Sequence, residues 1–333
     1  MLLIARSNFL FTNPNADALQ GAISKVPLVV SFSPFIDETS THAHLIIPDH
    51  DDLEKLDAFS SLVTGSPVVS VQRPVLKPFY ATTHTGDVLL SLTAGLKLSS
   101  SITASTYEAY LRSSLKPVYE HGKGTLMSQK KPTELEKSLH QSGWQTDAYT
   151  DYDEFWEQML KYGGWWNPYR TRTAHKPVVT IGREQLLRPG ASSVEHAAAH
   201  DTPLRLNVFA RNLDFKGNIG RNAILTEQFG MEHSVYYETW AEINPSTARR
   251  FSITDRSRIK VSTAKGAFEA VAVFNAAVMP AMVDVPFGLG HTVPGPVHGI
   301  NPIAFCDDIF DDATGTPASS ESIVQIERVG GTA

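Results

Sequence analysis

The chain has 333 residues, enough for about two domains, and its 42% hydrophobic and 19% charged content argues for a folded protein and against disorder. Twenty-nine Lys and Arg face 35 Asp and Glu, a formal net charge of -6, so general nucleic-acid binding, which needs a basic face to displace counterions, has no support. The lone cysteine, Cys306, excludes an internal disulfide and an iron–sulfur cluster held by this chain alone, which takes about four thiolates.

No apolar run approaches the roughly 20 residues that cross a bilayer. Met1 to Phe11, broken by Arg6, Ser7 and Asn8, is too short and too interrupted for a signal peptide. Leu2 to Ala5 is expected to be a buried strand, and a chain opening inside a strand suggests a split or truncated gene. The Asn13-Pro14-Asn15 turn precedes a helix over Ala16 to Ser24. Val26 to Val30, Leu45 to Ile47 and Pro67 to Val71 read as further strands of a parallel sheet, joined by right-handed crossovers. Gly86 to Leu96 reads as an amphipathic helix. Helices are expected at Tyr107 to Leu115, Pro132 to Leu139 and Tyr152 to Tyr162, the last stopped by Gly163-Gly164. A polar stretch from Asn167 to Thr202 is expected to hold a domain boundary.

From Leu204 the pattern is β. Arg205 to Ala210, Val235 to Ile243, Arg258 to Ser262, Phe268 to Phe274 and Met282 to Val285 read as strands, with a hairpin turn at Ala264-Lys265-Gly266. Asn244 caps a short helix that has Pro245 at its first position. Short strands with turns between them suggest a small barrel. The expected organisation is a partial α/β domain over 1–100, a helical and irregular connection over 101–202, and a β-barrel over 203–333.

Three segments carry the functional reading. The first is Val29-Val30-Ser31-Phe32-Ser33-Pro34-Phe35-Ile36-Asp37-Glu38-Thr39, continuing through Leu45-Ile46-Ile47-Pro48-Asp49-His50 to Glu54. The second is Trp240-Ala241-Glu242-Ile243-Asn244-Pro245-Ser246-Thr247-Ala248 and the hairpin behind it. The third is Gly288-Leu289-Gly290-His291-Thr292, then Gly299-Ile300-Asn301-Pro302, then Thr314-Gly315-Thr316-Pro317-Ala318. In this order they resemble the C-terminal part of the molybdopterin oxidoreductases of the dimethyl-sulfoxide-reductase superfamily. That part is the end of the third domain followed by the molybdopterin-dinucleotide-binding, double-psi-like barrel. The resemblance covers most of the chain and is weakest from Leu98 to Asp201.

A pterin dinucleotide presents a pyrophosphate, a guanine and a tricyclic pterin edge. Glycine turns and helix starts expose the N–H groups that anions need. Asn and Asp side chains match amide-like ring edges, and an unmatched buried polar group costs about 1–3 kcal/mol. Asn8, at the carboxyl end of the first strand, stands where open α/β sheets bind ligands; the family has Asn there before Pro, and here Phe9 follows. The resemblance implies cofactor contacts at Asn8, Glu38, Thr39, Asp49, His50, Asn244, Gly288, Gly290, His291, Thr292 and Asn301. Three departures weaken guanine recognition: Ala43-His44 in place of Ala-Asp, Ser33 in place of an acidic residue, and Arg256-Ser257 in place of Gly-Asp.

Plainer readings compete. Taken alone, Gly288-Leu289-Gly290 reads first as a tight turn, Asn244-Pro245 as a helix cap, and Asp49-His50 with Glu54 as a polar strand end rather than acid–base machinery. His196 and His200 have zinc-like spacing but lack a following Glu or a third ligand. Trp165-Trp166 is expected in a core or in interdomain packing. Cys306 beside Asp307-Asp308 is expected to be a poor thiolate, its acidic neighbours raising its pKa. No catalytic residue and no metal ligand are assigned.

By resemblance, the chain is the cofactor-binding portion of an oxidoreductase of anaerobic respiration. It would act on a small substrate, sulfur compounds such as polysulfide or tetrathionate among them. The implied cofactor is molybdenum bis(molybdopterin guanine dinucleotide), shared with a missing amino-terminal portion or subunit that bears the metal ligand and an Fe–S cluster. An Fe–S electron-transfer subunit would follow, with membrane contact only through partners, on the periplasmic or cytoplasmic face. The alternative is a metal-free structural subunit of a quinol-oxidising respiratory complex of the alternative complex III type. Either way, apolar surface left bare by missing domains predicts poor solubility alone.

Overall fold

The computed structural model describes residues 1–61, 67–98, 102–126, 137, 151–167, 203–210, 231–293, 299–311 and 315–330. By compactness the chain forms two units, Met1–Ile46 with Arg183–Ala333, and Ile47–Gly182. This grouping joins the first strands to the barrel, whereas the 1–100, 101–202 and 203–333 segments follow sequence character.

β1 (Leu2–Ile4) leads through α1 (Phe9–Thr12) and α2 (Ala16–Ile23) to β2 (Val29–Ser31). A 3-10 turn at Ser40–His42 then leads to β3 (Leu45–Ile46). The three strands are parallel in the order β1-β2-β3, as their apolar runs predicted. Only the middle strand is enclosed throughout. Leu3, Leu45 and Ile46 are 36%, 49% and 36% exposed, because an edge strand has a neighbour on one side only. The expectation of fully buried strands therefore fails at both edges. Ile4, Leu10, Ile23 and Val29 form a small core on one face.

The Ile47–Gly182 unit carries β4 (Asp57–Ser61), β5 (Val68–Gln72), α3 (Thr85–Gly95), α4 (Tyr107–Glu120), β6 (Thr125–Leu126), α5 (Tyr152–Tyr162) and β7 (Gly164–Trp166). Its strands form an antiparallel sheet, β4-β5-β7-β6. The Pro67–Val71 run is thus not a fourth parallel strand but β5 of this second sheet. Helix α3 is present, yet none of its residues is buried. Helix α5 stops at Gly163, whose φ of 88° suits glycine. Phe155, Trp156, Met159 and Trp165 pack with Val69 and Val71 into the core. Trp166 is 41% exposed, since neighbours on a strand face opposite sides, so the tryptophan pair splits. The predicted helix Pro132–Leu139 (apart from Lys137), the His196–His200 pair and the stretch 168–202 lie outside the described residues.

The barrel is built from β8 (Leu204–Ala210), β9 (Trp240–Ile243), α6 (Pro245–Arg250), β10 (Arg258–Thr263), β11 (Gly266–Phe274), β12 (Met282–Phe287) and β13 (Ile323–Arg328). Six strands close in the order β10-β11-β9-β12-β8-β13. β8 runs parallel to β12 and β9 to β11, and the other pairs are antiparallel. Leu206, Ile243, Ile259, Val261, Val283 and Val285 fill the inside at 0% exposure. The predicted Val235–Ile243 strand shortens to Trp240–Ile243. β13 was not foreseen, although its burial alternates, with Val324 and Ile326 inward.

Candidate functional site

β1 ends at Ile4 and the chain turns sharply. Arg6 takes a φ of 52°, a left-handed conformation uncommon for a residue with a side chain. Asn8 follows at the start of α1, but its side chain does not cap that helix. It reaches the β2–β3 loop instead. Its Nδ2 donates to Glu38 Oε2 at 2.7 Å, and its Oδ1 accepts from Thr39 N at 3.1 Å and Thr39 Oγ1 at 2.9 Å. Leu10 N donates back to Thr39 Oγ1 at 3.1 Å. Asp37 shapes this loop by accepting from Ser40 N and from Ser33 Oγ, each at 2.6 Å. Ser33, read as a departure from the family pattern, thus serves the loop that presents Glu38.

Glu38 joins that loop to the barrel. His291 Nδ1 lies 3.1 Å from both carboxylate oxygens, and Thr292 N donates to Oε1 at 2.8 Å. Burial alone would raise the Glu38 pKa. Hydrogen bonds from His291 and Asn8 outweigh it and hold the carboxyl far below the usual range. A carboxylate only accepts, so the proton between the pair sits on His291 Nδ1. The imidazole is 3% exposed and stacks on Phe11, with ring centres 4.0 Å apart. Its Nε2 is buried without a hydrogen-bond partner among the described residues.

Gly288 and Gly290 have φ of 125° and 83°. A Cβ on Gly290 would come within 2.2 Å of Asn301 N, so the two loops touch backbone to backbone only because residue 290 is glycine. Asn301 Nδ2 donates to Phe11 O at 2.7 Å, and its Oδ1 accepts from Ile303 N at 3.2 Å. Asn8, Glu38, Thr39, Gly290, His291, Thr292 and Asn301 therefore form one connected cluster, with Gly288 at the root of its barrel loop.

Asn244 is not brought to it. Its neighbour Ile243 pairs with Val283 near the start of β12, while Gly288 follows the far end of that strand, on the order of 15 Å away at ordinary strand rise. Its Oδ1 accepts from Ser246 N at 2.9 Å and its Nδ2 donates to Val278 O at 2.8 Å, so the cap reading holds. Asp49 and His50 belong to the Ile47–Gly182 unit. There Asp49 pairs with buried Lys55 at 2.7 Å and accepts from Thr85 N at 2.9 Å, and His50 Nδ1 lies 2.6 Å from Thr82 Oγ1. Burial opposes ionisation of Asp49, but the Lys55 and Thr85 hydrogen bonds lower its pKa overall. Glu54 accepts from Phe79 N at 3.0 Å. These groups anchor loops.

A cavity of about 480 Å³ opens beside Asn8. Arg6, Ser7, Asn8 and Thr12 line one side. Val208, Ala210 and Phe287, at the carboxyl ends of parallel β8 and β12, line another. Ile303, Cys306, Thr316, Pro317 and Ser319 complete it. Cys306 is 1% exposed and its thiol is pushed up to about 11, chiefly by burial; Lys265 opposes the shift and Asp307 adds to it. The expectation of a poor thiolate stands, with burial rather than acidic neighbours as its main cause. Among the described residues, no group of three or more His, Cys, Asp or Glu could hold a metal ion.

Sequence reasoning does not single out Arg6, Ser7, Thr12 or Ser319, and it gives Thr316 a place in a motif but no role. The signal for the first two was available, because they fill the turn between a parallel strand and its helix, immediately before Asn8. Ser319 gave none, since it approaches β8 from more than a hundred residues away, accepting from Val208 N at 3.0 Å.

Residues 225–323 match the Molydopterin dinucleotide binding domain family. The chain is 24% identical over 298 residues to the menaquinone reductase, molybdopterin-binding-like subunit of Nitratidesulfovibrio vulgaris (strain Hildenborough), covering 87% of this chain and 36% of that protein. It is 20% identical over 344 aligned positions to the arsenate respiratory reductase molybdopterin-containing subunit of Shewanella sp. (strain ANA-3), covering 89% of this chain and 39% of that protein. Its fold matches acetylene hydratase from Pelobacter acetylenicus with a TM-score of 0.60 at 16% identity, over 98% of this chain and 44% of the hydratase. The chain spans less than half the length of each. No helix among the described residues is long and apolar enough to cross a membrane.

Proposed function

We propose that this chain, which belongs to the molybdopterin oxidoreductases of the dimethyl-sulfoxide-reductase superfamily and corresponds to their C-terminal part, holds one nucleotide arm of a molybdopterin dinucleotide in the cavity beside Asn8. The observation that carries this reading is the meeting of two sets of strand ends, β1 on one side and β8 with β12 on the other, at one polar-rimmed cavity. Open α/β sheets bind ligands at strand ends of this kind. Arg6 offers a planar guanidinium to a phosphate, and Ser7 and Thr316 offer hydroxyls. The cavity has the volume of a site for one small ligand, not for a whole bis-pterin cofactor.

His291 Nε2 is a buried polar atom without a hydrogen-bond partner among the described residues, but His291 does not line this cavity, so the fit rests on Arg6 and the hydroxyls. When bound, a molybdenum pterin supplies the redox chemistry, and no residue of this chain is given a catalytic role. The remaining pterin, the metal ligand and an Fe–S cluster would come from an amino-terminal portion or subunit, with an Fe–S electron-transfer subunit beyond it. We propose that the complete assembly is a respiratory oxidoreductase of a small substrate, sulfur compounds among the candidates, reaching the membrane through partners. The double-psi character of the barrel and the 1–100, 101–202 and 203–333 segments belong to the same proposal.

One observation favours a second reading. Asn8, Glu38, Thr39 and Asn301 spend their polar atoms on the protein itself, so the cluster stays closed with no cofactor. A metal-free structural subunit of a quinol-oxidising complex would need only that closure. Titration with guanosine diphosphate, followed by ³¹P NMR, separates the two. The cofactor reading predicts saturable binding, weakened about tenfold by Arg6→Ala, a loss of roughly 1.4 kcal/mol. No binding, or binding indifferent to Arg6→Ala, supports the scaffold.

A further inference from the structure

We infer that the loop Arg73–Tyr80, with Leu53 beside it, is a docking platform for the polypeptide that makes up the rest of the relatives' length, the amino-terminal catalytic portion. This inference rests on the family reading, but not on the cavity beside Asn8.

Every residue from Gln72 to Tyr80 is exposed. Val75, Leu76, Phe79 and Tyr80 are 68%, 57%, 83% and 75% exposed, and Leu53 is 53% exposed. Exposure of this kind is ordinary in a frayed loop, but this loop is anchored. Val75 N and Leu76 N both donate to Leu53 O, at 2.9 and 3.0 Å. Phe79 N donates to Glu54 Oε1 at 3.0 Å, Gln72 Nε2 donates to Asp52 O, and Thr83 N donates to Pro48 O at 2.9 Å. The neighbouring rings of Phe79 and Tyr80 meet edge to face at 4.9 Å. The backbone is therefore committed inward while the apolar side chains point at water.

Bare apolar area here is on the order of 500 Å², near the upper end of what a soluble monomer leaves uncovered. A standard interface buries roughly 800 Å² per partner around aromatic anchors, so the platform supplies more than half of one. The relatives indicate the occupant. This chain covers 36%, 39% and 44% of them, so each carries a further polypeptide longer than this chain. The exposed charged residues here carry both signs, Arg73 and Lys77 within the loop and Asp51 and Asp52 just before Leu53. A protein partner can match such mixed charge, whereas an anionic lipid surface is repelled by half of it.

The test places the photoreactive amino acid p-benzoylphenylalanine at position 79 of the full chain in its native host, followed by irradiation and peptide mapping of the adducts. Adducts to a polypeptide carrying the amino-terminal molybdopterin oxidoreductase sequence are expected. Adducts only to phospholipid, only within these 333 residues, or none at all overturn the inference. The double substitution Phe79→Ser, Tyr80→Ser removes exposed groups and leaves circular dichroism and melting unchanged. It should lower co-purification of that polypeptide at least tenfold, and unchanged co-purification is a second overturning result. Guanosine diphosphate titration of the same double variant keeps the readings apart, because the platform and the cavity beside Asn8 share no residue.

Discussion

Glu38 is an ionised carboxylate with a tenth of its side chain in water, and segments around residues 8, 38 and 291 converge on it. Its folded pKa lies below the unfolded value near 4.3. Its contribution to stability is therefore full above about pH 4.3 and is lost as pH falls toward the folded value. Glu38→Gln should cost about 1–3 kcal/mol at neutral pH, by leaving His291 and Thr292 poorly matched. It should also flatten the acid limb of the melting-temperature profile, and calorimetry between pH 3 and 7 would read both effects. An unchanged acid limb would mean that the carboxylate does not link these segments. Cys306 gives a second check. Its buried, high-pKa thiol should resist Ellman's reagent at pH 8 in the folded protein and react at once in denaturant. The motifs made Asn8, Glu38 and His291 legible in the sequence. What they hid is that these residues bond to one another, because partners 30 and 253 positions apart leave no local signal.

At the scale of elements, continuous apolar runs and turn residues were readable, and pairing was not. β1, β2, the β10–β11 hairpin and the glycine-stopped α5 all follow from local chemistry. The same kind of apolar run in β5 gave no hint that its partners would be β4 and β7 rather than β2 and β3. β13 shows a readable alternation, but its barrel neighbours, β10 and β8, lie far back in the chain. Asn244 lies apart from the Asn8 cluster for a related reason. Its motif is local, and only closure of the barrel shows which end it occupies. Gly290 is where two elements depend on one atom being absent. Gly290→Ala forces a Cβ against Asn301 N and strains a left-handed backbone, so a loss of at least about 2 kcal/mol is expected in urea unfolding. An alanine variant as stable as the parent would show that the 288–292 and 299–301 loops are not in contact.

At the scale of the whole molecule, the chain carries a molybdopterin dinucleotide-binding domain, a parallel-sheet segment that joins it, and a second compact unit with an anchored apolar loop. It spans less than half of each relative, and apolar side chains are exposed in both units. The central claim is that the cavity beside Asn8 holds a nucleotide of the cofactor. The direct measurement is the guanine nucleotide and fluorescent oxidised pterin released from the intact complex, purified from its native host, compared with the same complex carrying Arg6→Ala. The account predicts both products in stoichiometric yield from the parent complex and a clear loss of guanine nucleotide from the variant. A complex that assembles fully and releases neither pterin nor guanine nucleotide would contradict it.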